Sequence, residues 1–162
     1  KIPAMSRKEG RLMRWAALIV VALLVLAGCS RHKPPVGHWE GTYESSDTII
    51  AAWLEIGKDG LVRVSAPDTT TIGPETTEAE RQSIREEMVA RLASGWNNVE
   101  PRKMDFDGDT FRKPGGFAPQ MKWNAKKKQM TLVLYLGANP ALYVPMRAVD
   151  EFSADPFMHA SE

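Results

Sequence analysis

The sequence predicts a mainly β domain, an antiparallel eight-stranded up-and-down barrel or a half-open barrel or sandwich, with one amphipathic helix inserted mid-chain. Three observations carry this. From Gly37 onward apolar and polar residues alternate with the period of a strand. The alternating segments are short, and turns bearing glycine and aspartate separate them. One segment alone, residues 77–94, changes to a helical spacing.

The elements follow in order. In GHWEGTYE, residues 37–44, Gly37, Trp39, Gly41 and Tyr43 share one face and His38, Glu40, Thr42 and Glu44 the other, which is a strand with one side buried. Residues 48–56 form a second strand, apolar on both sides, with Ile50, Ala52, Leu54 and Ile56 opposite Ile49 and Trp53. The turn GKDG at 57–60 leads into a third at 61–66, with glycine where a positive φ is needed. Ile84, Met88, Leu92 and Trp96 then recur every fourth residue beside Val89 and Ala93, so a helix over 77–94 carries one apolar stripe. Thr77 and Glu80 have the spacing of a capping box, and Glu87 and Arg91 are a favourable pair. That stripe must be covered by a barrel end or a sheet face. Further strands are predicted at 102–107, 109–113, 119–124, 129–136 and 141–149. Pro145 removes a ladder donor from the last and points to an edge or a bulge. Residues 150–162, polar apart from Phe152, Phe157 and Met158, read as a loosely docked tail.

Ahead of the domain lies AALIVVALLVLAGCSRHKPP, residues 16–35. The apolar run ends in the small residues Ala27 and Gly28, short of the about 20 residues that a spanning helix requires. Arg7, Lys8, Arg11 and Arg14 precede it, which is the order of an export signal over residues 1–28. From the residues alone, Cys29 is also compatible with a free buried thiol behind an ordinary signal, and the run with an uncleaved anchor. Residues 29–36, with two prolines and three basic groups, form a tether.

Five of the 21 basic and one of the 20 acidic side chains lie in residues 1–28, leaving 16 and 19 and a formal charge near −3 on the rest. That balance gives no electrostatic footprint for nucleic acid. The single cysteine excludes an internal disulfide, so the domain must be held by its core.

No catalytic constellation is predicted. There is no Gly-x-Ser-x-Gly elbow, Glu86 and Glu87 point apart on their helix, and no cofactor motif is present. Asp105, Asp107 and Asp109 alternate like a calcium loop, but Gly108 stands at loop position four instead of six, so a hairpin turn is the reading. His32, His38 and His159 have no metal-ligand spacing. The lysines at 126–128 form a wet turn or touch anionic head groups. Trp39, Tyr43, Trp53 and Trp123 are candidates to line a ligand cavity, with core packing as the alternative for each.

Leu26, Ala27, Gly28 and Cys29, LAGC, resemble the lipobox of bacterial lipoproteins. The resemblance implies cleavage between Gly28 and Cys29, acylation of Cys29, attachment to a lipid bilayer, and handling by the lipoprotein processing and sorting machinery. Because one acyl chain holds a protein only marginally, the two or three chains of that family make a durable anchor. Ser30, where an aspartate favours the inner membrane in enterobacterial members, implies the outer membrane facing the periplasm. Gly37, His38 and Trp39, continued by Gly41, Thr42 and Tyr43, resemble the first strand of lipocalin-like (calycin) barrels. That resemblance implies an eight-stranded barrel enclosing one apolar ligand. The helix departs from the family, which carries it after the last strand.

The expectation is therefore a membrane-anchored periplasmic lipoprotein of the bacterial cell envelope, not an enzyme, with a domain binding a small apolar ligand. The alternative is a structural or interaction lipoprotein that meets an envelope protein and has a filled core.

Overall fold

The computed structural model of the protein describes residues 33–66, 70–137 and 140–159. The export segment, Gly28, Cys29 and His32 lie outside these residues, as does the end of the tail. The elements are β1 (Gly37–Glu44), β2 (Thr48–Ile56), β3 (Leu61–Ser65), the two-residue β4 (Thr70–Thr71), helix α1 (Glu78–Gly95), β5 (Arg102–Lys103), β6 (Asp105–Phe106), β7 (Thr110–Arg112), β8 (Pro119–Asn124), β9 (Gln129–Leu134) and β10 (Leu142–Val149). Short 3-10 helices follow α1 at Trp96–Asn98 and close the chain at Pro156–His159.

The strands form one sheet in the order β5-β3-β2-β1-β10-β9-β8-β7-β6, with β4 set aside on β2. Every pairing is antiparallel, and neighbours are consecutive except where β3 meets β5, across β4 and the inserted helix, and where β1 meets β10. That last pairing turns a meander into a ring. The ends of the order, β5 and β6, are separated in sequence only by Met104, so the chain itself carries the sheet across its seam. With β5 and β6 taken as one bent strand and β4 aside, eight staves make a nearly closed up-and-down barrel. The helix is inserted between β3 and β5, as its position in the sequence requires.

The interior is built from alternate residues. Trp39 on β1, Ile50, Ala52, Leu54 and Ile56 on β2, Phe111 on β7, Met121 on β8, Met130 and Leu132 on β9, and Val144 and Met146 on β10 form one buried cluster. The opposite residues of β2 do not face water. Ile49, Ala51 and Trp53 pack against Met88 and Leu92 of α1 in a second cluster on the outside of the barrel. A strand buried on both faces has no polar side to write, which is why IIAAWLEI shows no alternation. The apolar stripe of α1 is thus covered by a sheet face and not by a barrel end.

α1 begins as its sequence specifies. Thr77 is the N-cap, its side chain accepts from the Glu80 backbone N–H, and the Glu80 carboxylate accepts from Thr77 N at 2.7 Å. Ion pairs fix its first half to the β1–β2 turn. Glu44 at the end of β1 receives Arg85 at 2.7 Å and Arg81 at 3.1 Å, while Arg81 also donates to the Ser45 and Ser46 carbonyls. The hydrogen bond from Arg85, helped by Arg81, holds the Glu44 carboxyl below its ordinary value.

Residues 150–159 are docked on the same outer layer. The Phe152 ring stacks on Trp53 with centroids 4.4 Å apart and stands edge-on to Trp96 and His38. Ser153 reaches Glu40, the one charged side chain among the described residues that is fully buried. The Glu40 carboxylate accepts from the Ser153 backbone N–H at 2.8 Å, the Ser153 hydroxyl and the Arg147 guanidinium. The segment seals the outward face of β1, and apolar Phe152 and Phe157 supply the burial that a polar tail lacks.

Pro145 is neither at an edge nor at a bulge in the β9–β10 ladder. β10 lies between β1 and β9, and Pro145 pairs with Thr131 of β9, while the ladder to β1 stops one residue later at Met146 opposite Gly41. The missing donor therefore falls where that ladder has ended. Gly41 is required by the same approach, since a Cβ there would lie 2.3 Å from the Pro145 carbonyl oxygen.

Candidate functional site

The packed interior does not fill the barrel. Trp39, with Trp123 edge-on at 5.4 Å, plugs the end at which β1 begins. At the other end, between β3 and β5 on one side and β7, β8 and β9 on the other, a cavity of about 710 Å³ opens to solvent. Its floor is apolar but packed: Met121 is closed to solvent and Val62 and Leu132 nearly so, and the apolar surface that the cavity exposes is that of the wall above them. Val64 and Leu134 continue the wall, and Met104 lines it at the seam. The seam explains the room. β5 and β6 have two residues each, so the bent strand gives little side-chain volume where a full-length stave would fill the interior.

The rim is polar. Arg102, Lys103, Lys113 and Glu100 border the cavity with Asn98 and Gln120. The register places Arg102 opposite Val62, and partners directly across an antiparallel pair share a face, so Arg102 belongs to the floor side of the sheet. Lys103 pairs with Leu61, on the other face.

The arginines elsewhere are engaged. Arg63 pairs with Glu55, Arg81 and Arg85 with Glu44, Arg91 with Glu87, Arg112 with Asp107, and Arg147 with Glu40. Among the described residues Arg102 is the one arginine with no carboxylate or other hydrogen-bond partner.

Of the four aromatic candidates, none lines this cavity. Trp39 and Trp123 belong to the plug at the far end, and Tyr43 packs on the interior cluster along β1. Trp53 stands outside the barrel, between α1 and Phe152. Cys29 and Gly28 are outside the described residues. The residues that do form the cavity carried no distinguishing type. Alternation was the available signal, since Arg102, Met104 and Phe106 share one parity with the interior.

The aspartates of the β6–β7 turn are used structurally. The Asp107 carboxylate accepts from the Asp109 and Thr110 backbone N–H groups at 3.0 and 2.8 Å and from Arg112. Those bonds, Arg112 first, bring its carboxyl down to about 2. Among the described residues no group of three or more His, Cys, Asp or Glu side chains stands together as metal ligands would. No helix of the described residues is long and apolar enough to cross a membrane. Shallow grooves also lie between α1 and the C-terminal segment and along the outside of β1 and β10.

None of the family models, curated proteins or solved structures compared with this chain matches it.

Proposed function

We propose that the chain is a bacterial lipoprotein, anchored through acylated Cys29 at the outer membrane and facing the periplasm, whose barrel holds one small apolar molecule in the cavity between β3–β5 and β7–β9. The observation that carries the binding half of this reading is the cavity of about 710 Å³ with an apolar wall of Val64, Met104 and Leu134 over a packed floor of Val62, Met121 and Leu132. Ligand sites fall in the range of about 300–1,000 Å³ and are mostly apolar with a few convergent polar groups. A nearly closed antiparallel barrel is compatible with the lipocalin-like resemblance of Gly37–Trp39, and the anchoring half rests on LAGC and the cationic, apolar order before it. In this reading the protein works by holding and presenting a molecule, with no catalytic step. The lysine turn at 126–128 and the plugged end of the barrel lie on the side where Lys33–Val36 enter, and the mouth lies on the other.

Two experiments test the halves separately. Labelled palmitate fed to cells of the native host is expected in the protein and absent from a Cys29→Ala variant. Lys33–Glu162, a compact unit with its own core, is expected to carry a small molecule through gentle purification from those cells. An unlabelled protein would remove the anchor, and a ligand-free domain with a mouth that excludes apolar probes would leave an interaction protein of the envelope.

A further inference from the structure

We infer that the outward face of β8, β9 and β10 docks on an anionic phospholipid bilayer, so that the barrel lies on its side against the membrane. The inference concerns the outside of the barrel and depends neither on the cavity nor on the acyl anchor. Its first observation is charge. Of the 16 basic and 19 acidic side chains outside the export segment, seven basic and none of the acidic ones fall in residues 110–149, which form β7, β8, β9, β10 and their connections. The acidic excess belongs wholly to the rest, which includes β1, β2, β3 and α1. A separation of that kind turns one side of a protein toward an anionic surface. The far half does not cancel the effect, because at about 0.1 M salt charges more than about 10 Å apart are largely screened. Arg112 and Arg147 are spent on Asp107 and Glu40. Among the described residues Lys113, Lys122, Lys126, Lys127 and Lys128 are exposed and form no ion pair.

The second observation is apolar, and it selects lipid among anionic partners. Met121, Met130, Leu132, Val144 and Met146 face the interior, so Lys122, Thr131, Tyr143 and Pro145 face out. Lys122 stands opposite Thr131, and Thr131 opposite Pro145, so the three cross the face in one row. The Lys122 ammonium lies 4.9 Å from the centre of the Tyr143 ring. Tyr135 and Tyr143 are half exposed, and Phe117, in the β7–β8 loop, is 97% exposed. That loop is tied down: Arg112 Nε donates to the Phe117 carbonyl at 3.3 Å, and Tyr135 Oη donates to the Pro119 carbonyl at 3.0 Å. Lysines interleaved with half-exposed tyrosines and one projecting phenylalanine suit a membrane interface, where the phenol sits at head-group level and the phenyl enters the acyl boundary. A duplex nucleic acid or a hydrated polysaccharide would use the lysines and leave Phe117 in water. Lys33–Val36 enter at the barrel end that carries the 126–128 turn, so an anchor at Cys29 would keep this face within reach of the same bilayer.

The test uses residues 33–162, which carry no acyl chain, and co-sedimentation with vesicles of phosphatidylcholine alone or with one quarter phosphatidylglycerol. Binding to the mixed vesicles is expected to be at least about tenfold tighter and to weaken as salt is raised. A basic side chain near an anionic surface strengthens binding about fivefold, so the combined Lys126→Gln, Lys127→Gln and Lys128→Gln variant is expected to lose more than about tenfold. Phe117→Ser is expected to lose about tenfold with an unchanged urea midpoint, since its ring is exposed in the free protein. Lys58→Gln, exposed at the β2–β3 turn in the acidic half, is expected to bind as the parent does. Equal binding to both vesicles, or a lysine variant that binds like the parent, would overturn the inference. A lysine effect with none from Phe117→Ser, or a DNA duplex that binds as tightly as the mixed vesicles, would overturn the bilayer as the occupant of this face. None of these results bears on the cavity, whose role is tested separately.

Discussion

Replacing Leu92 with alanine tests whether α1 is a structural layer of this barrel. Leu92 is fully buried among Ile49, Ala51, Trp53 and Met88, so the change removes three carbons from a site whose walls are a central strand and an indole ring. Losing such atoms costs their transfer free energy plus a cavity term, about 2–5 kcal/mol for a buried leucine. The stacked Trp53 and Phe152 limit collapse from one side, while α1 is free to settle on the other, which places the expected cost near about 3 kcal/mol. With a urea slope of about 1.5–2 kcal/mol per molar, the midpoint is expected to fall by about 1.5–2 M with the slope unchanged. Ala93→Ser, exposed on the same helix, is expected to stay within about 0.5 kcal/mol. Equal, small shifts for both variants would refute the docking of the helix on β2. A normal midpoint with a reduced slope would show that the helix layer and the barrel do not unfold together.

Gly41→Ala is expected to lower stability by about 1–3 kcal/mol in the same assay, because the added Cβ meets the Pro145 carbonyl oxygen at 2.3 Å and the Met146 sulfur at 2.6 Å. Ser153→Ala leaves the Arg147 contact to Glu40 in place and removes two hydroxyl bonds, the one donated to Glu40 and the one accepted from Arg147, so a loss of about 1–2 kcal/mol and earlier protease cleavage in residues 150–159 are expected. Acid titration should show several linked carboxyls, Glu44, Asp47, Glu80 and Asp107, of which Glu44 and Asp107 are held by arginines. The folded carboxyls of Glu44 and Asp107 are depressed, so their stabilisation is complete above their ordinary values of 4.5 and 3.8 and is lost as pH falls, for Asp107 toward about 2. Asp107→Asn is expected to flatten stability between about pH 4 and pH 2 relative to the parent, read from thermal midpoints, and Glu44→Gln to loosen α1 in hydrogen exchange.

The eight staves and the helix were legible because each is written in a simple code. Thr77 and Glu80 mark the start of α1, Gly60 takes φ 80° in the GKDG turn, and alternation in residues 37–44 sets the inward face of β1. The facing of β2 was not legible. Both of its sides are apolar, and only the docking of Met88 and Leu92 on Ile49, Ala51 and Trp53 decides which is outside. The bend at Met104 was missed for a related reason, since residues 102–107 read as one strand and the division depends on β3 and β7 pairing with different halves. Phe152 and Phe157 were visible as apolar residues in a polar tail, but their partners lie more than fifty residues away in sequence. The cavity was least legible of all. A void is made by what is absent, here side-chain volume at two-residue strands, and its lining of Val62, Met121 and Leu132 is indistinguishable in type from core. Aromatic residues attracted the ligand reading because they are large, and size is what places Trp39 and Trp123 in the plug.

Leu132→Trp fills the floor of the cavity from β9 without touching the rim, and native mass spectrometry of the domain recovered from its own cells reads the consequence directly. The parent is expected to show a population heavier than the polypeptide by one small molecule, released on denaturation, and the folded variant only the bare mass. A bare mass for the parent, with apolar probes refused as well, would contradict the account, as would a bound molecule that Leu132→Trp leaves in place.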